Sequence, residues 1–368
     1  MHPEWEFGAY VWKLKKALYG MRSAPRAWQE HLSQLLEDAG FQRGVAAPTL
    51  FYSAKYDTLV DVHVDDIHAT GSETGLTYLF AYLKEHLCIK VSPIHGQDSE
   101  YTFLRAKRIR KDGRLTVTPC EDYARGAAKL LDLTHCRPAT TPGFMGKFED
   151  IDDELLEDPA EITKYRSVVG KLLYLSHYRY DMQFHVGMLC QEMQKPTGGG
   201  MKRAKHLVRY YMGTHHYGLV FGEHSSPTEI TVFTDSDWAG SKDRRSVSSG
   251  VTLLAGCPMA SWSRTQLKSS VALSSGEAEF LAAVTAVIEG LGIAAVLEEI
   301  NIVLPVRIHV DSTVCLAVLH RLGAGSRFKH VGEILFCAGP CALGPNSHGQ
   351  GSHRGEPCRH WHQVAFSG

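Results

Sequence analysis

Glu229-Ile230-Thr231-Val232-Phe233-Thr234-Asp235-Ser236-Asp237-Trp238 is the stretch that decides the fold. β-prone residues lead into two aspartates one residue apart, and the two-residue side-chain period of a strand sets Asp235 and Asp237 on one face at its end. Outward from there the order reads strand, strand, strand, a long helix over Ser275 to Glu299, a strand over Val306 to Val310, then a short helix. Such an order predicts a layered α/β domain. Glu277 and Glu279 fall in the first turn of the long helix, and Asp311 closes the strand Arg307-Ile308-His309-Val310. Carboxylates converging on the ends of one sheet are the hard oxygen ligands that two magnesium ions roughly 4 Å apart require, one to generate an attacking hydroxide and one to stabilise a leaving oxygen. The same acids would also serve as helix caps and exposed strand ends, because a first helical turn favours acids in any protein.

Upstream, Lys13, Lys15, Lys16, Arg22 and Arg26 surround Trp12, Tyr19 and Trp28, ahead of a helical pattern from Ala27 to Ala39. Cations interleaved with aromatics suit phosphate contact plus base stacking, and they equally suit an amphipathic helix with a solvated lysine face. An apolar run from Thr58 to Ala69 is interrupted by Asp65 and Asp66, which are costly inside a strand unless paired or metal-bound. Two strand-like runs between Tyr101 and Val117 flank Lys111-Asp112-Gly113, a hairpin signal. Helical spacing follows over Asp122 to Leu133, Tyr165 to Met193 and Lys202 to Met212, with an acidic, turn-prone stretch at 143–162 between the first two. That stretch lacks the glycine and terminal glutamate of a calcium loop.

The 39 Lys and Arg against 40 Asp and Glu leave no bulk attraction to phosphate, so affinity for nucleic acid must come from local patches. The 9 cysteines form no paired framework, which favours reduced thiols and a cytoplasmic or nuclear setting. No stretch approaches the roughly 20 uninterrupted apolar residues of a bilayer span, so no membrane partner is expected. After Gly332, cysteine, histidine, glycine and proline become frequent and periodicity vanishes. Cys337, Cys341, Cys358, His360 and His362 lie there, but their spacing fits no zinc finger.

Several motifs, in order, give the chain a likeness. Lys13-Leu14-Lys15-Lys16-Ala17-Leu18-Tyr19-Gly20-Met21 with Ala24-Pro25-Arg26-Ala27-Trp28, then His63-Val64-Asp65-Asp66, then Tyr165-Arg166-Ser167-Val168-Val169-Gly170-Lys171-Leu172-Leu173-Tyr174 are the first three. Asp235-Ser236-Asp237-Trp238-Ala239-Gly240, Ser274-Ser275-Gly276-Glu277-Ala278-Glu279-Phe280 and Lys329-His330-Val331 complete the set. From residue 10 to 331 the chain resembles the polyprotein of copia-type LTR retrotransposons. The resemblance implies an α+β and α/β multidomain architecture. Residues 1–145 would be a partial reverse transcriptase fingers and palm, 146–225 a helical thumb or connection, and 226–331 an RNase H-like mixed-sheet domain. Residues 332–368 would be a tail, frameshifted or disordered.

The resemblance further implies polymerase metal ligands at Asp65 and Asp66, with a third aspartate expected upstream of the chain. It implies ribonuclease H ligands at Asp235, Glu279 and Asp311, with a fourth expected in an Asn-Pro-Ala-Asp segment that has no counterpart here. Asp237 and Glu277 remain runners-up. Magnesium, or manganese in its place, would be the cofactor. The partners would be RNA–DNA hybrid, template RNA, primer DNA and deoxynucleotides, held by Lys13, Lys15, Lys16, Arg22, Arg26 and Trp28. Both activities are expected to be impaired, a catalytically dead remnant that still binds nucleic acid being the alternative. Two family positions depart from pattern: Phe-Leu-Gly is Phe103-Leu104-Arg105, where arginine is expected to block a close backbone approach, and Arg-Pro-Asp is Arg179-Tyr180-Asp181.

Overall fold

The computed structural model describes residues 14–143, 154–222, 226–240, 244–266, 272–319 and 364–367. It divides into a unit at Met1–Ile94 and another at His95–Gly368.

In the first unit, α1 (Ala24–Asp38) begins with a proline in its first turn, where no backbone N–H is missed. An antiparallel meander follows in the order β1 (Gln42–Arg43), β2 (Leu50–Ser53), β3 (Thr58–His63) and β4 (Asp66–Gly71). Helix α2 (Glu73–His86) closes the unit, its N-terminus capped by the Ser72 hydroxyl, which accepts from Gly75 N at 3.1 Å. Leu32 and Leu36, one turn apart on α1, pack with Leu79 and Leu83 of α2 against Phe41, Phe51 and Val60. The apolar run from Thr58 is therefore a hairpin, folded at Val64–Asp65.

The second unit opens with β5 (Ser99–Phe103), β6 (Ala106–Lys111) and β7 (Arg114–Thr118). Asp112 and Gly113 both take positive φ between β6 and β7, as a type I′ turn needs. Four helices follow: α3 (Glu121–Leu130), α4 (Pro159–Ser176), α5 (Gln183–Gln191) and α6 (Gly198–Gly213). They bury Ala127, Tyr165, Val169, Leu172, Leu207 and Tyr211 in one core. Strand β8 (Leu219–Phe221) then returns to pair with β7. That sheet and that core each draw residues from both sides of position 145. The helix expected to run from Tyr165 to Met193 starts earlier, where Asp158 caps it, and breaks after Ser176.

The remaining strands form a mixed sheet ordered β11 (Cys257–Thr265), β10 (Val247–Leu254), β9 (Ile230–Asp237), β12 (Val306–His309) and β13 (Val364–Ser367). Helix α7 (Ser275–Glu299) lays Phe280, Ala283 and Val287 on Ile230, Val232, Val306 and Ile308. A Cβ on Gly290 would come within 2.6 Å of Val306 Cγ1, so glycine permits the close approach of helix to sheet. Helix α8 (Thr313–Leu319) buries Cys315 in the same core.

Two expectations need correction. Helix α7 is long and apolar enough to cross a membrane by length and composition, despite Glu289 in its middle. In this fold it carries the domain core, and Glu289 pairs with Arg264 at 2.8 Å. The residues after 332 were expected to form no packed structure, yet Val364–Ser367 adds a parallel strand to β12 and Val364 packs on the core. Backbone pairing explains this, because it depends little on surrounding composition. Residues 332–363, with the five cysteines and histidines named above, lie outside the described residues.

Candidate metal centre

Strands β9 and β12 are parallel neighbours, with Val306 opposite Ile230 and His309 opposite Phe233. Continuing that register by two places sets Asp311 beside Asp235 at one edge of the sheet, about one strand spacing of roughly 4.8 Å away. The third carboxylate comes from above. Thr234 Oγ1 donates to Ser249 O at 3.0 Å and to Ala282 O at 3.3 Å, tying α7 to the strand that carries Asp235. Glu279 faces the same edge, and one oxygen from each of Asp235, Glu279 and Asp311 lies within 4.8 Å of the others.

The three differ in environment. Asp235 and Asp311 are exposed, while Glu279 is buried. Its Oε2 has no hydrogen-bond partner. Burial first, then the charges of Asp235 and Asp311, push its carboxyl up to about 7, with Ser236 offsetting part of the rise. A buried carboxylate with one oxygen unpartnered, brought beside two other carboxylates, is a costly arrangement that a hard cation would relieve. Asp235 is itself oriented by Ser236 N, which donates to its Oδ1 at 2.7 Å.

The runners-up separate cleanly. Glu277, not Glu279, occupies the first turn of α7. There its Oε2 accepts from Leu273 N while the Ser274 hydroxyl accepts from Glu277 N, so Glu277 is spent on capping the helix. Asp237 stands outside the cluster. Sequence reasoning missed Gln266, whose amide donates to Ser248 Oγ at 2.9 Å and Ala278 O at 3.0 Å and so fixes the start of α7. Nothing local marks it, because its partners are distant in sequence.

In the first unit, Asp65 and Asp66 stand exposed on the β3–β4 turn. Lys15, Lys16 and Arg22 are exposed on the segment before α1, and Lys13 lies outside the described residues. Arg26 is engaged by Glu30, four residues on, at 2.7 Å. Trp28 donates its indole N–H to Val64 O at 2.8 Å. Lys329, His330 and Val331 also lie outside the described residues.

The two motifs that depart from the family pattern have defined surroundings. Leu104 and Arg105 both take positive φ, 49° and 61°, between paired Phe103 and Ala106. Arginine thus occupies a turn position that glycine fills best. Arg179 is buried and forks onto Asp181 at 2.9 and 2.7 Å while donating to Thr214 O and Oγ1 at 2.8 Å each. Tyr210 OH donates to the same Asp181 at 2.7 Å. This network locks the turn before α5 to the end of α6. Burial pushes the Asp181 carboxyl up, but hydrogen bonds from Arg179 and Tyr210 outweigh it and hold it below its ordinary value.

Comparison with known proteins bears on the whole chain. Residues 6–145 match the family model described as reverse transcriptase (RNA-dependent DNA polymerase). The chain is 31% identical over 328 residues to the retrovirus-related Pol polyprotein from transposon RE1 of Arabidopsis thaliana, covering 88% of this chain and 22% of that protein. The counterpart from transposon RE2 of the same plant is 30% identical over the same shares. An uncharacterized mitochondrial protein of Arabidopsis thaliana is 32% identical over 223 residues, 60% of this chain and 88% of its own length. Among solved structures, the foamy viral protease-reverse transcriptase in complex with dsDNA aligns over 95% of this chain and 59% of its own, at 12% identity and a TM-score of 0.48. The chain spans about a fifth of the length of the transposon polyproteins it matches.

Proposed function

The chain belongs to the copia-type retrotransposon Pol polyprotein family, and from that premise we propose that it is a reverse transcriptase–ribonuclease H segment acting on RNA–DNA hybrids, with its hydrolytic centre at Asp235, Glu279 and Asp311. The observation that carries this reading is the buried Glu279 carboxylate, one oxygen of which has no hydrogen-bond partner, converging with two strand-end carboxylates. These three residues would hold a divalent cation, magnesium or manganese, whose chemistry when bound is to activate water and offset charge on a phosphodiester. The side chains of this chain do the rest: Asp235 and Asp311 define the sheet edge, and Glu279 is presented by a helix whose start is fixed by Gln266, Ser274 and Glu277. Asp65 and Asp66 would serve nucleotidyl transfer, and Lys15, Lys16 and Arg22 would contact phosphates.

A second reading, a remnant that binds hybrid without cleaving it, is favoured by one count: among the described residues three carboxylates converge, one short of the set the family resemblance implies. The test is magnesium-dependent cleavage of an end-labelled RNA–DNA hybrid by the full chain, with Asp235→Asn as control. Cleavage lost in Asp235→Asn supports the enzyme. Binding that weakens steeply with salt, without cleavage, supports the remnant.

A further inference from the structure

We propose that Trp28 is a positioning residue that holds the Asp65–Asp66 turn in the backbone conformation that presents its carboxylates. This rests on the reading of those aspartates as cation ligands. The turn between His63 and Asp66, the last pair of the β3–β4 ladder, is two residues long. Its first residue is Val64 at φ 56°, and Asp65 is not among the residues with positive φ. A single positive φ at the first position is the pattern of a type II′ turn, where glycine is the residue that fits. A β-branched side chain at positive φ is a genuine outlier, so the conformation has to be imposed from outside the turn.

The structure supplies the constraint. Val64 is 68% exposed, so packing of its side chain does not hold it. Its carbonyl oxygen, however, accepts the Trp28 indole N–H at 2.8 Å. Trp28 is not a loose donor: it lies one and two turns before Leu32 and Leu36, on the same face of α1, and packs against the core those residues build. On the strand side, Val62 N donates to Thr49 O at 3.0 Å, fixing the approach to the turn. The strained carbonyl is thus clamped between a rigid helix and a rigid strand, and the next two residues are the carboxylates. The indole that sequence reading assigns to nucleic acid is used to aim them.

The test uses the full chain labelled with 15N-valine, titrated with Mn2+ alone as the paramagnetic probe. Trp28→Phe keeps the ring and removes the donor. The Val64 amide is expected to shift toward an averaged conformation, and the Mn2+ concentration that broadens Val62 is expected to rise about tenfold, the factor one ordinary hydrogen bond supplies. Adding Val64→Gly to Trp28→Phe is expected to restore the wild-type Mn2+ midpoint at Val62, since glycine adopts positive φ unaided. An unchanged Val64 signal with an unchanged midpoint in Trp28→Phe would overturn the proposal. If Trp28→Phe does not fold, the unaltered chain decides: a Trp28 indole N–H that exchanges with deuterium as fast as a free indole overturns the clamp, and a protected one supports it. A wild-type chain that shows no Mn2+ broadening, while Val64 still moves in Trp28→Phe, keeps the clamp and rejects the cation-ligand reading of Asp65 and Asp66.

Discussion

The two acidic centres of this chain are built in opposite ways. Asp65 and Asp66 are neighbours in sequence, share one hairpin turn and stand in solvent. Asp235, Glu279 and Asp311 come from two strands and a helix spread over 77 positions (311 − 235 + 1), and one of them is buried. Adjacency needs only a turn, so the first pair is cheap to hold and easy to move. Convergence needs the whole α7-on-sheet packing, so the second set is expensive and rigid. Charge in solvent is screened, whereas charge brought together in a partly buried site alters proton affinity, and Glu279 records that.

Several measurements would sharpen or break the contrast. The largest effect should come from Glu279→Gln, which is expected to lower hybrid cleavage by about a thousandfold, on the order of 4 kcal/mol of transition-state stabilisation. Cleavage kept within tenfold would mean that the convergent centre is not the hydrolytic one. Among the structural ion pairs, Arg179→Ala should cost about 3 kcal/mol in denaturant unfolding, because it removes a buried guanidinium that donates to both Asp181 and Thr214, whereas Arg26→Ala, which breaks an exposed helix pair, should leave unfolding nearly unchanged. Equal costs would erase the distinction between buried and exposed.

The pH dependence has a defined sign. Glu279 binds its proton more tightly folded, up to about 7, than at its ordinary value of 4.5. Its contribution to stability is therefore complete below pH 4.5 and lost as pH rises through about 7, a swing on the order of 3 kcal/mol. Without divalent cation the second unit should lose stability over that window, Glu279→Gln should flatten the loss, and magnesium should oppose it. Thermal unfolding followed at a series of pH values checks all three. The smallest effect concerns Arg105→Gly, which removes a side chain from a positive-φ turn position and should stabilise by about 1 kcal/mol. A destabilisation there would show that Arg105 makes a compensating contact.

How much of this was legible in the sequence follows the same division. Features set by neighbouring residues were readable: the Asp112–Gly113 hairpin and the strand that carries Asp235 follow from local chemistry, whereas α1 starts at Ala24, three residues before the periodicity that began at Ala27. Glu279 and Asp311 were named through resemblance to a family, since no spacing rule places a helix residue over a strand end. Separating Glu279 from Glu277 required the structure, because both are acids near one helix start and only the hydrogen bond to Leu273 N tells them apart. The pairing of β8 with β7 across about 100 intervening residues was not legible, because composition does not encode such a contact. The bond from the Trp28 N–H to Val64 O was not legible for a related reason: its partner lies 36 residues away in sequence.

One contact within the second unit has a consequence for solubility. Strand β11 is the outer strand of the mixed sheet. Its Ser261 is met by the Gln183 side chain of α5, which donates to Ser261 O at 2.9 Å and accepts from Ser261 Oγ at 2.8 Å. Gln191, two turns on, donates to Thr265 Oγ1 at 2.8 Å. A glutamine amide offers the same donor and acceptor as a peptide group, so Gln183 acts as one residue of a counterfeit strand. An open edge invites the backbone of a second molecule to continue the ladder. Here that invitation is already answered by the chain's own helix, and Gln183→Ala would turn a closed edge into a sticky one.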